Sequence, residues 1–463
     1  MTSPPNDESS GHGGNLFFAV LAFVAIFGAT YYWSGRDLNS FEEMPGPQKD
    51  DVFYDNIAFN IEQRGIFALS FSDIEWQQKY VDKNTDGRYN WIFDIKADGE
   101  TTSRAPAFPY VLAGCYYVFG REWETIRFLN MLILAFGLAF LCATVRRYSG
   151  WIAAILATVI ICGDLFVMRT GGQIMTEAMA TGIFGLMFGC LIRVWNNLAE
   201  RSKPGWRWFV VGVLFGLSIL VRSNLVAWLV QLLVLGVGGL IFLAIRRKGV
   251  VPYIQGSALF LFGCVVVCAP WWARNCRATG EFAPLGCGRL GMIGGYCDES
   301  FEDRGNWSLE KTRELQFEIG VSLWDDDRDW TLAETEMETA RHSSVRAIQW
   351  ARDNSAILPQ MMLMRVQSHL ALHDGMPTYL LALNGLLFFG AILGMLGSWS
   401  RFGGWVALVL FLSCATTAMT WAHEGRYSLP IRPVLSACAA IGTVYFWSTV
   451  LKLSRGAGKP TTE

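Results

Sequence analysis

Again and again the chain runs for about 20 residues with almost no charge, and this pattern constrains it more than any other. A stretch of that length crosses a hydrocarbon core of about 30 Å as a helix, and a bilayer admits helices because they satisfy their own backbone hydrogen bonds. The spans read as 15–33, 125–145, 151–168, 174–195, 207–222, 224–245, 252–273, 376–397, 403–421 and 432–451. Only 17% of residues are charged, against about 25% in soluble domains, and the deficit lies in these blocks. The block 106–119 is apolar too, but its 14 residues suit an interfacial or re-entrant helix better than a span. The expected class is all-α integral membrane, a bundle of about ten transmembrane helices.

Lysine and arginine orient such a bundle, because they collect in cytoplasmic loops. With the N-terminus inside, the inner loops carry Arg146 and Arg147; Arg193, Arg201, Lys203 and Arg207; Arg246, Arg247 and Lys248; and Arg401. The tail adds Lys452, Arg455 and Lys459, while the short outer turns hold only Arg169, Arg222, Arg426 and Arg432. Two long loops, 34–122 and 274–375, then face outward. The flanking segments 1–14, read as a disordered tail, and 452–463 are cytoplasmic, and 15–451 is one transmembrane domain. The first span lacks a basic n-region and an A-x-A-like site, so it is expected to be retained. A net charge of −2 argues against nucleic acid as a partner.

Loops of that length are functional or disordered, and their Trp, Tyr, Phe and Ile content speaks against disorder. Phe53, Ile57 and Ile61 recur at a spacing of four, and Ala333, Met337, Ala340, Val345 and Ile348 recur among charges. Both segments read as amphipathic helices lying on the membrane or packed over the spans. Of the eleven cysteines most fall inside spans, and no C-x-x-C spacing occurs. Any disulfide is expected to join two of Cys276, Cys287 and Cys297, in an outer loop where oxidation is allowed.

Five polar clusters gather at the outer ends of the spans. Asp50, Asp51, Tyr54 and Asp55 stand together; one Asp there reads as a helix cap, but adjacent carboxylates also raise each other's proton affinity, as a general base requires. Arg104 precedes a Pro-started apolar helix, where it reads as a phosphate ligand or as a snorkelling anchor. Arg169 is followed by Met175-Thr176-Glu177, which sets one ionisable residue, Glu177, at the outer start of a span. Pro270-Trp271-Trp272-Ala273-Arg274-Asn275 combines an interfacial aromatic belt with a cation. Glu424-Gly425-Arg426-Tyr427 forms a tight charged turn before Pro430.

In their order along the chain these motifs resemble the C-type glycosyltransferase superfamily. The resemblance is to the branch with protein O-mannosyltransferases, lipid A aminoarabinose transferase and rhizobial lipopolysaccharide sugar transferases. It covers roughly residues 15–445 and adds Phe119-Gly120 and the Arg127-x-x-Asn130 pair. The family's acidic pair is often Asp-Glu and here is Asp50-Asp51; its Pro-Pro-Leu is here Ala105-Pro106-Ala107. The resemblance implies a bundle of that type with interfacial helices in the first outer loop. It implies transfer of a sugar from a polyprenyl-phosphate donor to a lipid, glycan or protein acceptor at the extracytoplasmic face of the cell or inner membrane. Asp50 becomes the catalytic base, and Asp51, Tyr54, Arg104, Glu177, Arg274, Arg426 and Tyr427 substrate-binding residues. No cofactor is required, although a carboxylate pair leaves room for a divalent metal. The competing readings are a multi-span transporter, which would show internal repeats and midplane charges, and a lipid-linked oligosaccharide ligase or polymerase.

Overall fold

The computed structural model describes residues 8–46, 50–94, 97–201, 205–246, 249–283, 291–324, 329–372, 376–423 and 425–456. Eight helices among them are long and apolar enough to cross a membrane. One, Trp123–Gly163, has 41 residues and is broken at Gly150, whose φ of 86° lies where a side chain would be strained. It supplies two of the expected spans. The 15-residue helix Arg207–Val221 is the tenth, packed along Val251–Thr279. The first helix, Glu8–Asp37, starts inside the segment read as a disordered tail, and the last, Arg432–Gly456, runs into the expected C-terminal tail. Lys203, Arg247, Lys248 and Lys459, which helped to set the orientation, lie outside the described residues.

Lipid tails are as apolar as leucine, so burial of apolar surface does not hold these helices together; close packing does. Trp123–Gly163 and Thr176–Arg201 touch backbone to backbone, and a Cβ at Gly137 would stand 1.8 Å from the Gly182 carbonyl oxygen. Large apolar side chains such as Leu16, Val234, Phe242, Leu386 and Phe389 point outward, as lipid-facing positions do.

The two long loops pack at one end of this bundle. In the first, the helix Asp50–Arg64 lies against the 13-residue helix Ala107–Phe119, with a short antiparallel pair, β1 (Ala68–Ser70) and β2 (Asp98–Glu100), beside them. The Asp50 helix is not amphipathic: Asp51, Val52 and the run Tyr54 to Asn60 are all buried, because neighbours cover it on nearly every side. The helix Leu332–Asp353 buries Ala333, Met337 and Ala340 as expected, but Val345 and Ile348 are exposed. Cys276 and Cys297 are both free, and Cys287 lies outside the described residues.

Candidate active site

Asp50 opens its helix, where the partial positive charge of the first turn favours a carboxylate. Arg104, just ahead of the Ala107–Phe119 helix, donates from Nη2 to Asp50 Oδ1 at 2.9 Å. Arg426 comes from a one-turn helix, Arg426–Ser428, placed by Gly425 at φ 77°. Its Nη2 lies 3.3 Å from Asp50 Oδ2, and its Nε donates to Glu177 Oε1. Arg222, just past the end of the Arg207–Val221 helix, approaches the same Glu177 oxygen at 3.6 Å. The chain Arg104–Asp50–Arg426–Glu177–Arg222 thus alternates in sign and ends positive at both ends, so these five groups carry a net charge of +1. Glu177 is sealed in, with 2% of its side chain exposed; Asp50 keeps 34% and is the carboxylate a ligand can reach.

Burial acts to raise the pKa of Asp50, but the guanidinium groups of Arg104 and Arg426, with help from nearby His423, outweigh it and hold the carboxyl below its usual range. The raised proton affinity expected of Asp50 therefore gives way to a lowered one, set by the two arginines. Neighbours on a helix point in different directions, and Asp51 accepts instead from the Gly46 amide at 3.2 Å. Tyr54, one turn after Asp50, is buried with its ring edge-on to Phe108. Burial, reinforced by the Asp50 charge, pushes its pKa up, so it stays a neutral hydroxyl.

Asp55 belongs to a separate centre. It is bound by Arg121 and accepts from Tyr80 at 2.7 Å, Tyr116 at 2.5 Å and the Trp76 indole at 2.9 Å. Burial acts to raise its pKa, yet Arg121 and the tyrosines outweigh it and keep the pKa low. Arg274 also stands apart from the Asp50 chain. It donates to the carbonyls of Thr101 at 2.7 Å and Phe67 at 2.8 Å and pairs with Glu100 at 3.1 Å, tying its helix to β1 and β2. Arg127 and Asn130 hold the turn ahead of Glu177, by bonds to the carbonyls of Gly172 and Gln173, each 2.8 Å. Tyr427 accepts from the Trp421 indole at 3.0 Å and lies under Arg222, with the His423 ring 6.2 Å away. Glu424 lies outside the described residues. Among the described residues no group of three or more His, Cys, Asp or Glu side chains gathers as metal ligands do.

Arg222 and Arg121 were not among the expected site residues; an arginine at the apolar end of a span, as in Val221-Arg222, was the signal for the first.

Residues 103–273 match the family of dolichyl-phosphate-mannose-protein mannosyltransferases. Three solved structures of oligosaccharyltransferases from Archaeoglobus fulgidus superpose on nearly the whole chain. The archaeal oligosaccharyltransferase AglB, in complex with an inhibitory peptide and a dolichol-phosphate, matches with a TM-score of 0.54 at 12% identity, covering 96% of this chain and 52% of that one. An apo form matches with a TM-score of 0.50 at 10% identity over 97% and 52%. A form tethered to an acceptor peptide matches with a TM-score of 0.51 at 12% identity over 94% and 50%. The fold is that of the C-type glycosyltransferases. The chain spans about half the length of these structures, and no curated protein matches it. The family match takes in Arg104, Glu177 and Arg222.

Proposed function

We propose that the protein is a membrane glycosyltransferase that moves a sugar from a polyprenyl-phosphate donor to an acceptor hydroxyl at the extracytoplasmic face, with Asp50 as general base. The observation that carries this reading is the reachable Asp50 carboxylate held between Arg104 and Arg426. The +1 charge of the ion-pair chain suits a phosphodiester at the membrane surface, and arginine matches phosphate oxygens with a forked donor. One of the fold relatives was captured with a dolichol-phosphate, a carrier of the class proposed here.

In the reaction the acceptor oxygen bonds to the anomeric carbon as the bond from that carbon to the donor phosphate oxygen breaks. The bonding electrons leave on polyprenyl phosphate, whose charge the arginines stabilise, so no general acid is needed. The acceptor proton passes to Asp50. This single displacement inverts the anomeric centre. Before donor binds, the two arginines make Asp50 a weak base. Phosphate competes for Arg104 and Arg426, and Asp50 regains proton affinity when the base is required. Glu177, itself paired with Arg222, anchors Arg426, and the Tyr427 ring beside His423 offers the sugar an aromatic wall.

The test is Asp50→Asn, which keeps size and most hydrogen bonding. The purified variant should fold and bind donor but transfer sugar about 10²–10⁴ times more slowly. Transfer near the wild-type rate would remove Asp50 from the role.

A further inference from the structure

Glu336 takes no part in the scheme above, although its half-buried carboxylate is bonded on both oxygens. It projects from the helix Leu332–Asp353 of the second long loop into the first. Its Oε1 accepts from Thr101 Oγ1 at 2.5 Å, and its Oε2 accepts from the Thr102 amide at 2.7 Å and from Thr102 Oγ1 at 3.2 Å. From another helix, Arg274 holds the Thr101 carbonyl at 2.7 Å. The short segment so gripped ends in Arg104, whose guanidinium lies over the Phe53 ring and reaches Asp50. Arg104 is also near enough to attract the Glu336 carboxylate.

The second long loop grips the other arginine's segment as well. Its backbone pairs with the residues ahead of Arg426: the Trp307 amide donates to the Ala422 carbonyl and the Ala422 amide to the Gly305 carbonyl, both at 3.0 Å. Both arginines on Asp50 therefore sit on segments that this loop holds.

We infer that Glu336 is a positioning residue for Arg104, through which the second long loop sets the grip on Asp50. The inference rests on the glycosyltransferase reading for its consequence, and on hydrogen-bond geometry for the clamp itself. Truncating Glu336 strands the Thr102 amide and frees the 101–104 segment. Arg104 then stabilises ionised Asp50 less. The other groups facing Asp50 are Arg426 and His423 from the turn between the last two spans, Glu177 from the start of a span and Tyr54 from its own helix; all are left in place.

The experiment has two arms on the full-length protein. In the first, amide hydrogen exchange of the donor-free protein compares wild type, Glu336→Gln and Glu336→Ala. Faster exchange at Thr101 to Arg104 is expected in both variants, larger in the alanine; unchanged exchange overturns the clamp, whatever the protein catalyses. In the second, sugar transfer by Glu336→Ala should fall about tenfold to a hundredfold, the scale of misplacing a site group, and the acidic limb of kcat/KM should move to higher pH. The glutamine variant should move it less, in the same direction. A lower melting temperature with an unmoved acidic limb would mean that Glu336 only holds the loops together, and would overturn the positioning role. Absence of transfer by wild type would defeat the glycosyltransferase reading and leave the exchange arm to decide the clamp.

Discussion

Asp50 and Arg426, 376 residues apart in the chain, meet at 3.3 Å. One belongs to the first long loop and the other to the turn between the last two spans, so the contact exists only when the bundle closes. The same arginine binds Glu177 at the start of a third segment. Both ends of the chain are thus tied to the pair on which the proposed chemistry depends.

The arginines predict an unusual pH dependence. In the free protein they hold Asp50 below the ordinary carboxylate range, so Asp50 loses its charge only as pH falls through that depressed value. Because kcat/KM reports free enzyme and kcat the donor complex, and donor phosphate draws the arginines away, the acidic limb of kcat should lie at higher pH than that of kcat/KM. Coincident limbs, measured by transfer assay across pH, would show that the arginines stay on Asp50 throughout.

Arg104 and Arg274 should behave differently. Arg104 faces Asp50, and Arg104→Ala should weaken binding of polyprenyl phosphate, read by calorimetry or native mass spectrometry. Arg274 is committed to two carbonyls and Glu100, so Arg274→Ala should lower the melting temperature while donor affinity changes little. Equal loss of affinity in the two variants would place both on the phosphate.

Glu177→Gln leaves Arg426 and Arg222 facing each other without their shared carboxylate. Breaking such a buried pair costs about 3–5 kcal/mol, seen as a lower melting temperature, and turnover should fall without vanishing because Asp50 remains. Wild-type turnover and stability together would reduce Glu177 to a helix-terminal residue of no consequence.

Asp55→Asn should be a stability mutation. It leaves Arg121 against a neutral amide among the buried rings of Trp76, Tyr80 and Tyr116, at a cost of about 3–5 kcal/mol. Thermal unfolding in detergent should reveal the loss, and the fraction that remains folded should transfer sugar at close to the wild-type rate. A full-strength fold with dead chemistry would move Asp55 into the active site.

The orientation can be checked by labelling cysteines introduced at 100 and 122. Both should react from the extracytoplasmic side, because the 13-residue helix between them is short for a span; reaction from opposite sides would add a span and invert the N-terminus.

Much of the bundle was legible because the information is local. A run such as 224–245 declares its own helix by length and apolarity, and the Gly150 break fell between two runs already read apart. The site was legible in part. Asp50, Arg104, Glu177, Arg426 and Tyr427 do come together, while Arg274 turns to β1 and β2. Asp51 and Asp55 looked like partners of Asp50 because they are neighbours in sequence. About 100° of helical turn per residue sends Asp51 toward Gly46, and Asp55 lies in another pocket altogether.

By itself, then, the sequence determined the solvent of this chain, the approximate placing of its apolar helices, and the acids and arginines that stand at their ends, since each follows from the character of a short stretch. Which of those charges meet was decided only by tertiary structure. Glu336 reaches Thr102 across 234 residues and Arg426 reaches Glu177 across 249. The strength of an ion pair depends on separation in space and on burial, and neither is a property of a segment read alone.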